Sequence, residues 1–212
     1  MASSTDGAAR IGGQYPVSVE ITDEREMNRL WGIPFLGVAV RGFLAIPHSV
    51  VLAIMGFGVY VWVLIGWLPI LLNGRVPGLA VKFLTEYLHR GARVAGYVAF
   101  LMPGGYPPLE PGMPVPVDLQ LDLDSLEMNK FWGIPFVGIF VRALILQPQF
   151  VVLSFLMIAV ILTWLVLWVP ILASGRYPEW AARLYRAAIQ YAARVSAYVL
   201  LLPVPYPPIW PD

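Results

Sequence analysis

Two arginines lie inside long apolar segments and are the side chains of this sequence best placed to do chemistry. Arg41 stands in the first apolar run, and Arg142 occupies the matching place in the second. A cation inside a membrane-embedded segment costs about 2.5–3.5 kcal/mol on insertion scales, so it normally faces a partner, a headgroup or a cavity. Three roles are open: snorkelling to the membrane surface, binding of a lipid phosphate or partner carboxylate, and catalysis or transport. Snorkelling is the simplest role, and binding is the functional prediction.

The remaining polar residues do not form a recognisable catalytic set. His48 and His89 are the only histidines and stand on different predicted elements, and the chain has no cysteine. Asp118, Asp122 and Asp124 share one side of a predicted strand, where they could hold a divalent cation, but a solvated strand face explains them without further assumption and is favoured. Serine-nucleophile, phosphate-loop and dinucleotide motifs are missing. We therefore predict no enzyme activity, no cofactor and no metal.

A second set of cations lies on a helix that follows each apolar run. In the first of these helices Lys82, Glu86 and Arg90 recur at helical spacing, with apolar residues between them. Such a helix is suited to lie along lipid headgroups with its basic side outward, or to dock on an acidic partner. The predicted lipid- or partner-binding residues are Arg41, Arg142, Arg75, Arg176, Arg90, Arg93, Arg183, Arg186 and Arg194.

These residues are positioned by a sequence that occurs twice. The segment Glu26-Met-Asn-Arg-Leu-Trp-Gly-Ile-Pro-Phe35 returns as Glu127-Met-Asn-Lys-Phe-Trp-Gly-Ile-Pro-Phe136, and the agreement continues in register to a closing Tyr-Pro-Pro in each half. The repeat predicts a tandem duplication. Its predicted parts are a polar tail at 1–14, a repeat unit at 15–108, a Pro/Gly linker at 109–116 and a repeat unit at 117–212.

Each repeat is predicted to contain a short β-strand, a helical hairpin and an amphipathic interfacial helix. Val17, Val19 and Ile21 alternate with polar residues, as do the apolar residues of 117–123, so both segments are typical of strands that could pair as a small ribbon. A continuous helix through the first apolar run would be roughly 60 Å long, about twice a bilayer core. Pro47 and Pro148 therefore predict the turns of hairpins, which either cross the membrane or are re-entrant.

Aromatic and basic residues predict how the hairpins sit in a membrane. Trp31 and Trp67 flank the first hairpin and Trp132 and Trp168 the second, so both ends of each hairpin are expected at one interface with these tryptophans as anchors. Most cations lie near the same ends, which places both termini in the cytoplasm by the positive-inside rule. Small residues predicted to allow close helix packing are Gly37, Gly42, Gly56, Gly58 and Gly138.

Composition supports a membrane protein. Hydrophobic residues make up 58% of the chain, against about 45–50% in a typical globular domain, and the mean hydropathy is +0.70. The net charge is only +1, which favours no nucleic-acid partner. The N-terminal tail lacks the apolar core of a signal peptide. The predicted fold class is an all-α integral membrane protein made of two tandem repeats.

The motifs also resemble a family of proteins. Leu-Ala-Ile-Pro-His at 44–48, Gly-Arg-Tyr-Pro at 175–178 and the closing Tyr-Pro-Pro are similar to those of an uncharacterised bacterial family of small membrane domains of unknown function. Two copies would cover nearly the whole chain. Val76 replaces the tyrosine of the first turn, and Gln147-Pro-Gln149 replaces Ile-Pro-His in the second half. The resemblance implies a bacterial inner (cytoplasmic) membrane protein and no particular chemistry.

Together these features predict a non-catalytic accessory or scaffold subunit of a larger bacterial membrane complex. Its expected partners are membrane lipids and other membrane protein subunits. The alternative is a binder of an apolar ligand, a quinone, carotenoid or lipid, held between the two hairpins with Arg41 and Arg142 receiving its polar end. A lipid-modifying enzyme is a third and weaker hypothesis, because no paired carboxylates, Ser/His set or metal ligands converge in the sequence.

Overall fold

A computed structural model of the chain describes residues 15–21, 26–33, 36–99, 106, 117–123 and 125–208. The predicted tail at 1–14 and linker at 109–116 lie outside these residues. The described part is mostly helical, with one small antiparallel sheet.

Both halves contain the same order of elements. The first half has strand β1 (Val17–Ile21), 3-10 helix η1 (Arg29–Gly32) and helices α1 (Leu36–Leu44), α2 (Ile46–Ile65), α3 (Trp67–Asn73) and α4 (Gly78–Val98). The second has β2 (Val117–Leu121), η2 (Lys130–Gly133), α5 (Val137–Ile145), α6 (Gln147–Ser174) and α7 (Glu179–Val199). Helix α6 corresponds to α2 and α3 together, because Gly66 ends α2 where the second half has Leu167.

Local sequence explains where these elements begin and end. The side chain of Asn28 accepts a hydrogen bond from the backbone of η1, and Asn129 does the same for η2. Pro47 lies in the first turn of α2, where proline needs no hydrogen-bond partner for its nitrogen. Gly74 ends α3 and Gly175 ends α6, both in the left-handed conformation that glycine adopts without strain.

The two strands pair with each other, as the sequence predicted. Val17 lies opposite Leu121 and Val19 opposite Leu119 in an antiparallel ribbon. The side chains of Val17, Val19, Val117 and Leu119 are buried, since one face of the ribbon packs on α4 and α7. The ribbon thus obtains from the helices the packing that an isolated hairpin lacks.

The two halves exchange their N-terminal segments. Segments β1 and η1 of the first half pack on α7 and α6 of the second, while β2 and η2 pack on α4 and α3 of the first. The backbone nitrogen of Met27 donates to Gly175 at 2.9 Å, and that of Met128 donates to Gly74 at 2.8 Å. The repeated Glu-Met-Asn motif of each half is therefore hydrogen-bonded to the Gly-Arg turn of the other half. Each predicted repeat unit packs its first segment on the other unit.

The predicted hairpins require a correction. The chain breaks just before each proline as expected, but a single residue, Ala45, separates α1 from α2. Helix α1 has nine residues, about 14 Å, which is too short for a bilayer core of about 30 Å. It packs mainly on η1 and α4 instead of lying along α2 as a second arm. Only the second arm of each predicted hairpin, α2 or α6, has the length to span.

Candidate functional site

The guanidinium of Arg41 is enclosed by protein groups. Its side chain is 2% exposed, and Nη1 donates to the carbonyl of Tyr97 at 3.1 Å. The indole of Trp31 and the ring of Tyr97 each lie 4.8 Å from the guanidinium carbon. A cation held between two aromatic rings and bonded to the end of α4 gains cation–π and helix-dipole stabilisation. We call this group the first arginine cage.

The second half builds an equivalent cage around Arg142. Its Nη1 donates to the carbonyls of Tyr198 at 2.7 Å and Leu202 at 3.2 Å. The rings of Trp132 and Tyr198 lie 4.8 Å and 4.4 Å from the guanidinium carbon, and Nη2 lies 3.7 Å from the sulfur of Met128. Burial lowers the pKa of Arg142 to about 10, so the side chain remains a cation at neutral pH.

The cages overturn the snorkelling interpretation of Arg41 and Arg142. Both side chains point into the protein, 2% and 3% exposed, where snorkelling requires the charged end in water. Protein carbonyls and aromatic rings take the places that we predicted for a lipid phosphate or a partner carboxylate. Each cage ties the tryptophan of a 3-10 helix to the far end of α4 or α7, which makes it a structural joint.

A layer of polar residues closes over each cage, and the sequence analysis missed its role. The hydroxyl of Tyr106 lies 2.8 Å from Nδ1 of His48, and the ring of Tyr106 packs edge-on against Tyr97. In the second half Gln149 is fully buried and bonds to the carbonyl of Pro207 and the hydroxyl of Tyr191. The recurrence of Tyr-Pro-Pro at the end of each repeat was the available signal.

We had predicted that the third helices, α4 and α7, present their cations outward. Two of these cations point inward instead. Arg93 is buried and lies 3.7 Å from Asp118 of the ribbon. Arg194 is buried as well, with Nε donating to the carbonyl of Val17 at 3.2 Å and its guanidinium over the ring of Tyr15. These two residues therefore hold the ribbon on the helices.

The other predicted basic residues lie nearer the surface. Arg75 pairs with Glu127 across the halves at 2.6 Å. Arg90 and Arg183 each pair with a glutamate one turn earlier on the same helix at 2.6 Å, and these pairs involve Glu86 and Glu179. Arg176 and Arg186 are exposed. The Arg75–Glu127 and Arg183–Glu179 pairs are exposed, and exposed pairs of this kind contribute little to stability. Binding of a headgroup or a partner by these cations stays a prediction.

His89 makes the ribbon contact of the first half sensitive to pH. Its Nε2 lies 2.8 Å from Asp118. Burial and the nearby charge of Arg93 lower the pKa of His89, against the opposing pull of Asp118 and Glu86. The folded state therefore favours the neutral ring, which donates Nε2–H to the carboxylate.

We expect the thermal midpoint to fall as the pH drops through the usual histidine pKa, about 6.5. The unfolded chain takes up a proton there that the folded chain resists, so folding stability decreases toward acid. His89→Gln installs the residue found at the equivalent position of the second half, Gln190. This variant should lose that component of the pH dependence, while His48 is present in both proteins. Identical pH profiles for the two proteins would contradict the assignment.

The five predicted packing glycines fall into two groups. A Cβ on Gly37 or Gly138 would meet the backbone of Trp31 or Trp132, and one on Gly58 would lie 2.6 Å from the ring of Phe83. These three positions therefore serve contacts within the chain. The others, Gly42 and Gly56, have no atom within 4 Å of such a Cβ and open onto the surface.

An apolar groove runs between the two halves. It has a volume of about 700 Å³ and lies between η1 and α1 on one side and α6 on the other. Trp31 and Ala39 line one side, and Trp164 and Trp168 line the other. None of the described residues that line it is charged. Arg41 is not among them and lies against the ring of Trp31, so the reception of a ligand's polar end by Arg41 stays a prediction.

The outer faces of α2 and α6 are apolar and exposed. Both helices are long and apolar enough to cross a membrane, with mean hydropathies of 2.1 and 2.9 over their most apolar windows. Only 11% of each window is buried, whereas the core helix of a soluble protein is mostly buried. Phe57, Phe155 and Leu165 are among the most exposed side chains.

Within the described residues, no group of three or more His, Cys, Asp or Glu side chains is placed to hold a metal ion.

Comparison with known proteins gives one family match. The model of the family described as Domain of unknown function (DUF4389) matches residues 36–108 and again residues 137–210. No curated protein and no solved structure matches the chain. The two matches are consistent with the tandem duplication read from the repeat.

Proposed function

The chain belongs to the Domain of unknown function (DUF4389) family, with two copies of the domain, and from this premise we propose that it is a membrane-embedded, non-catalytic scaffold or accessory subunit. Helices α2 and α6 span the bilayer, and their outer faces contact lipid and other membrane subunits. The protein lies in the bacterial inner membrane, with both termini in the cytoplasm.

The observation that carries the proposal is the exposure of α2 and α6. A monomeric soluble protein rarely leaves contiguous apolar patches of more than a few hundred Å² in water. Here two helices of 20 and 28 residues have outer faces that no described part of the protein covers, and only 11% of the most apolar window of each is buried. Lipid and apolar partner helices are the surroundings in which such faces are stable.

The use of the buried polar groups supports a scaffolding role. Arg41, Arg142 and Arg194 bond to backbone carbonyls of other segments, and Gln149 and His48 bond to the C-terminal part of each repeat. Each of these contacts joins segments more than 50 residues apart. The chain's most costly buried groups thus stabilise its shape, which is what a rigid docking platform requires.

Gly56→Leu tests the docking surface. Because Gly56 faces outward with nothing near its Cβ position, leucine adds bulk on the outer face of α2 without an internal clash. We expect the variant to insert in the membrane and keep its thermal midpoint but to separate from its partner subunits during purification in mild detergent. Gly42→Leu, which is also open but lies on α1, is the matched control. A Gly56→Leu protein that co-purifies as wild type contradicts docking through α2.

Gly58→Leu must be kept out of this experiment. A side chain there would press on the ring of Phe83 and separate α2 from α4. Loss of partners in such a variant would report a damaged fold. The structure thus separates two glycines that the sequence had grouped.

A second function, binding of an apolar ligand, is favoured by the groove beside Trp31. Its volume falls in the usual range for ligand pockets, about 300–1,000 Å³, and its lining is apolar and aromatic. It lies between the halves, as the sequence-based alternative required, although without the two arginines. This second function is compatible with the first, because structural lipids often sit at subunit junctions.

A further inference from the structure

The groove opens beside the lipid-facing surface of α6. Ile161, Leu165 and Trp168 line it, and the same three side chains are exposed on the surface of the helix, Leu165 most of all. A molecule in the groove is therefore continuous with the hydrocarbon region if α6 spans the membrane, which is the premise taken from the proposed function. An elongated hydrocarbon chain fits a space of this shape and lining.

Two cations lie at the end of the groove. Ile171 lines it, and Gly175 follows four residues later at the end of α6, about 6 Å along the helix axis. The stem of Arg29 packs there, with Cγ 3.4 Å from the position of a Cβ on Gly175. Arg29 Nε lies 3.5 Å from the same position. Arg176 is the next residue along the chain and is exposed, so its backbone lies little more than one helical turn beyond Ile171.

Arg176 is less neutralised than Arg75, its counterpart in the first half. At the equivalent turn of the first half, Arg75 forms a 2.6 Å ion pair with Glu127. Among the described acidic side chains, none forms such a pair with Arg29 or Arg176. Among the described acidic residues, Glu26 lines the adjoining depression together with Arg176, and its backbone bridges that of Arg176. The mouth of the groove is thus suited to a single negative charge.

We infer that the groove between η1, α1 and α6 holds an acyl chain of an anionic phospholipid, whose phosphate is bound by Arg29 and Arg176. The apolar walls exclude a charged occupant from the groove itself. The cations at its end distinguish a phospholipid from a quinone or carotenoid, because neither of those carries a phosphate.

The internal repeat provides a matched pair of variants. Ala39 lies in the groove wall, and the equivalent residue of the second half is Phe140. Ala39→Phe fills the groove with a side chain that this fold already accepts at the matching site. Phe140→Ala is the control. The mouth of the groove is tested with the double variant Arg29→Gln/Arg176→Gln. Its control is the double variant Lys130→Gln/Arg75→Gln, which changes the equivalent two residues of the other half.

The experiment reconstitutes full-length protein in vesicles with equal amounts of phosphatidylglycerol and phosphatidylcholine, extracts it in mild detergent and measures retained lipid by mass spectrometry. We expect wild type to retain phosphatidylglycerol preferentially. Ala39→Phe should lower the retained lipid roughly tenfold, and the Arg29/Arg176 variant should lose the preference for phosphatidylglycerol by a similar factor. Both control variants should behave as wild type.

Three results would overturn the inference: unchanged retention in Ala39→Phe, an unchanged preference in the Arg29/Arg176 variant, or a retained quinone or carotenoid in place of phospholipid in protein from native membranes. Alkaline carbonate extraction of the same vesicles tests the premise separately. Protein that resists extraction but retains no phospholipid overturns only the groove assignment. Protein that is washed off the vesicles overturns the proposed membrane function.

Discussion

Arg142→Leu should destabilise the protein strongly. The change removes two hydrogen bonds donated by a cation, to the carbonyls of Tyr198 and Leu202, each of which is worth about 1.5–3 kcal/mol. The two carbonyls keep the backbone donors Leu201 and Val204. It also removes a desolvated cation from between two aromatic rings, a contact of about 2 kcal/mol. Part of this loss is offset because leucine is apolar, so we expect a net loss of about 3–5 kcal/mol. In a chain of this length that lowers the thermal midpoint by roughly 10 °C.

The measurement is the thermal midpoint in detergent, with Lys82→Leu as the control. Lys82 is exposed on α4, so the same type of substitution should change stability by no more than about 0.5 kcal/mol. The sequence alone favoured the opposite outcome, in which removing a cation from an apolar segment helps insertion. A stable Arg142→Leu protein would support that simpler view.

Gly133→Ala should disrupt the exchange between the halves. A Cβ at this position would lie 2.6 Å from Cα of Leu71 and 2.8 Å from the carbonyl carbon of Ile70. Both are backbone atoms of α3, which cannot move aside as a flexible side chain can. We expect η2 to be forced away from α3 at a cost of about 3 kcal/mol or more, at the upper end of the usual range for overpacking.

Two other glycines calibrate this result in the same denaturation experiment. Gly32→Ala, at the equivalent position of η1, should cost less, because its closest backbone contact, the nitrogen of Leu172, lies 2.8 Å from the Cβ position, against 2.3 Å for the nitrogen of Leu71 at Gly133. Gly91→Ala, on α4 with no atom within 4 Å, should raise stability by about 0.5–1 kcal/mol through helix propensity. Equal stability of the Gly133 and Gly91 variants would show that η2 does not pack on α3 as described.

Much of the local structure could be predicted because it depends on neighbouring residues. Alternation predicted both strands, and Pro47 and Pro148 predicted the start of α2 and α6. The repeated motif predicted a duplication that the family model matches twice. The apolar runs also predicted helices long enough to span a membrane. The number of hairpin arms was overestimated because composition alone does not show that α1 is short.

The sequence did not allow us to predict whether the charged side chains point into the protein or toward its surface. Arg41 and Arg142 each bond to a carbonyl 56 residues further along the chain. Arg93 and Arg194 follow the periodicity of a polar helix face, yet both are buried under the ribbon. Periodicity shows which residues share a face of a helix, but it does not show which segment covers that face.

By itself, the sequence determined that this protein has two copies of one unit, which residues begin and end most of its elements, and which helices are long and apolar enough to cross a membrane. These properties follow from short-range sterics and from the apolar surface that each segment must remove from water. Only the tertiary structure decided that the copies exchange their first segments, that two arginines are caged, and that Gly56 faces outward while Gly58 faces inward. Those outcomes depend on contacts between distant segments, and two segments of nearly identical sequence can pack on their own unit or on its neighbour with the same local pattern.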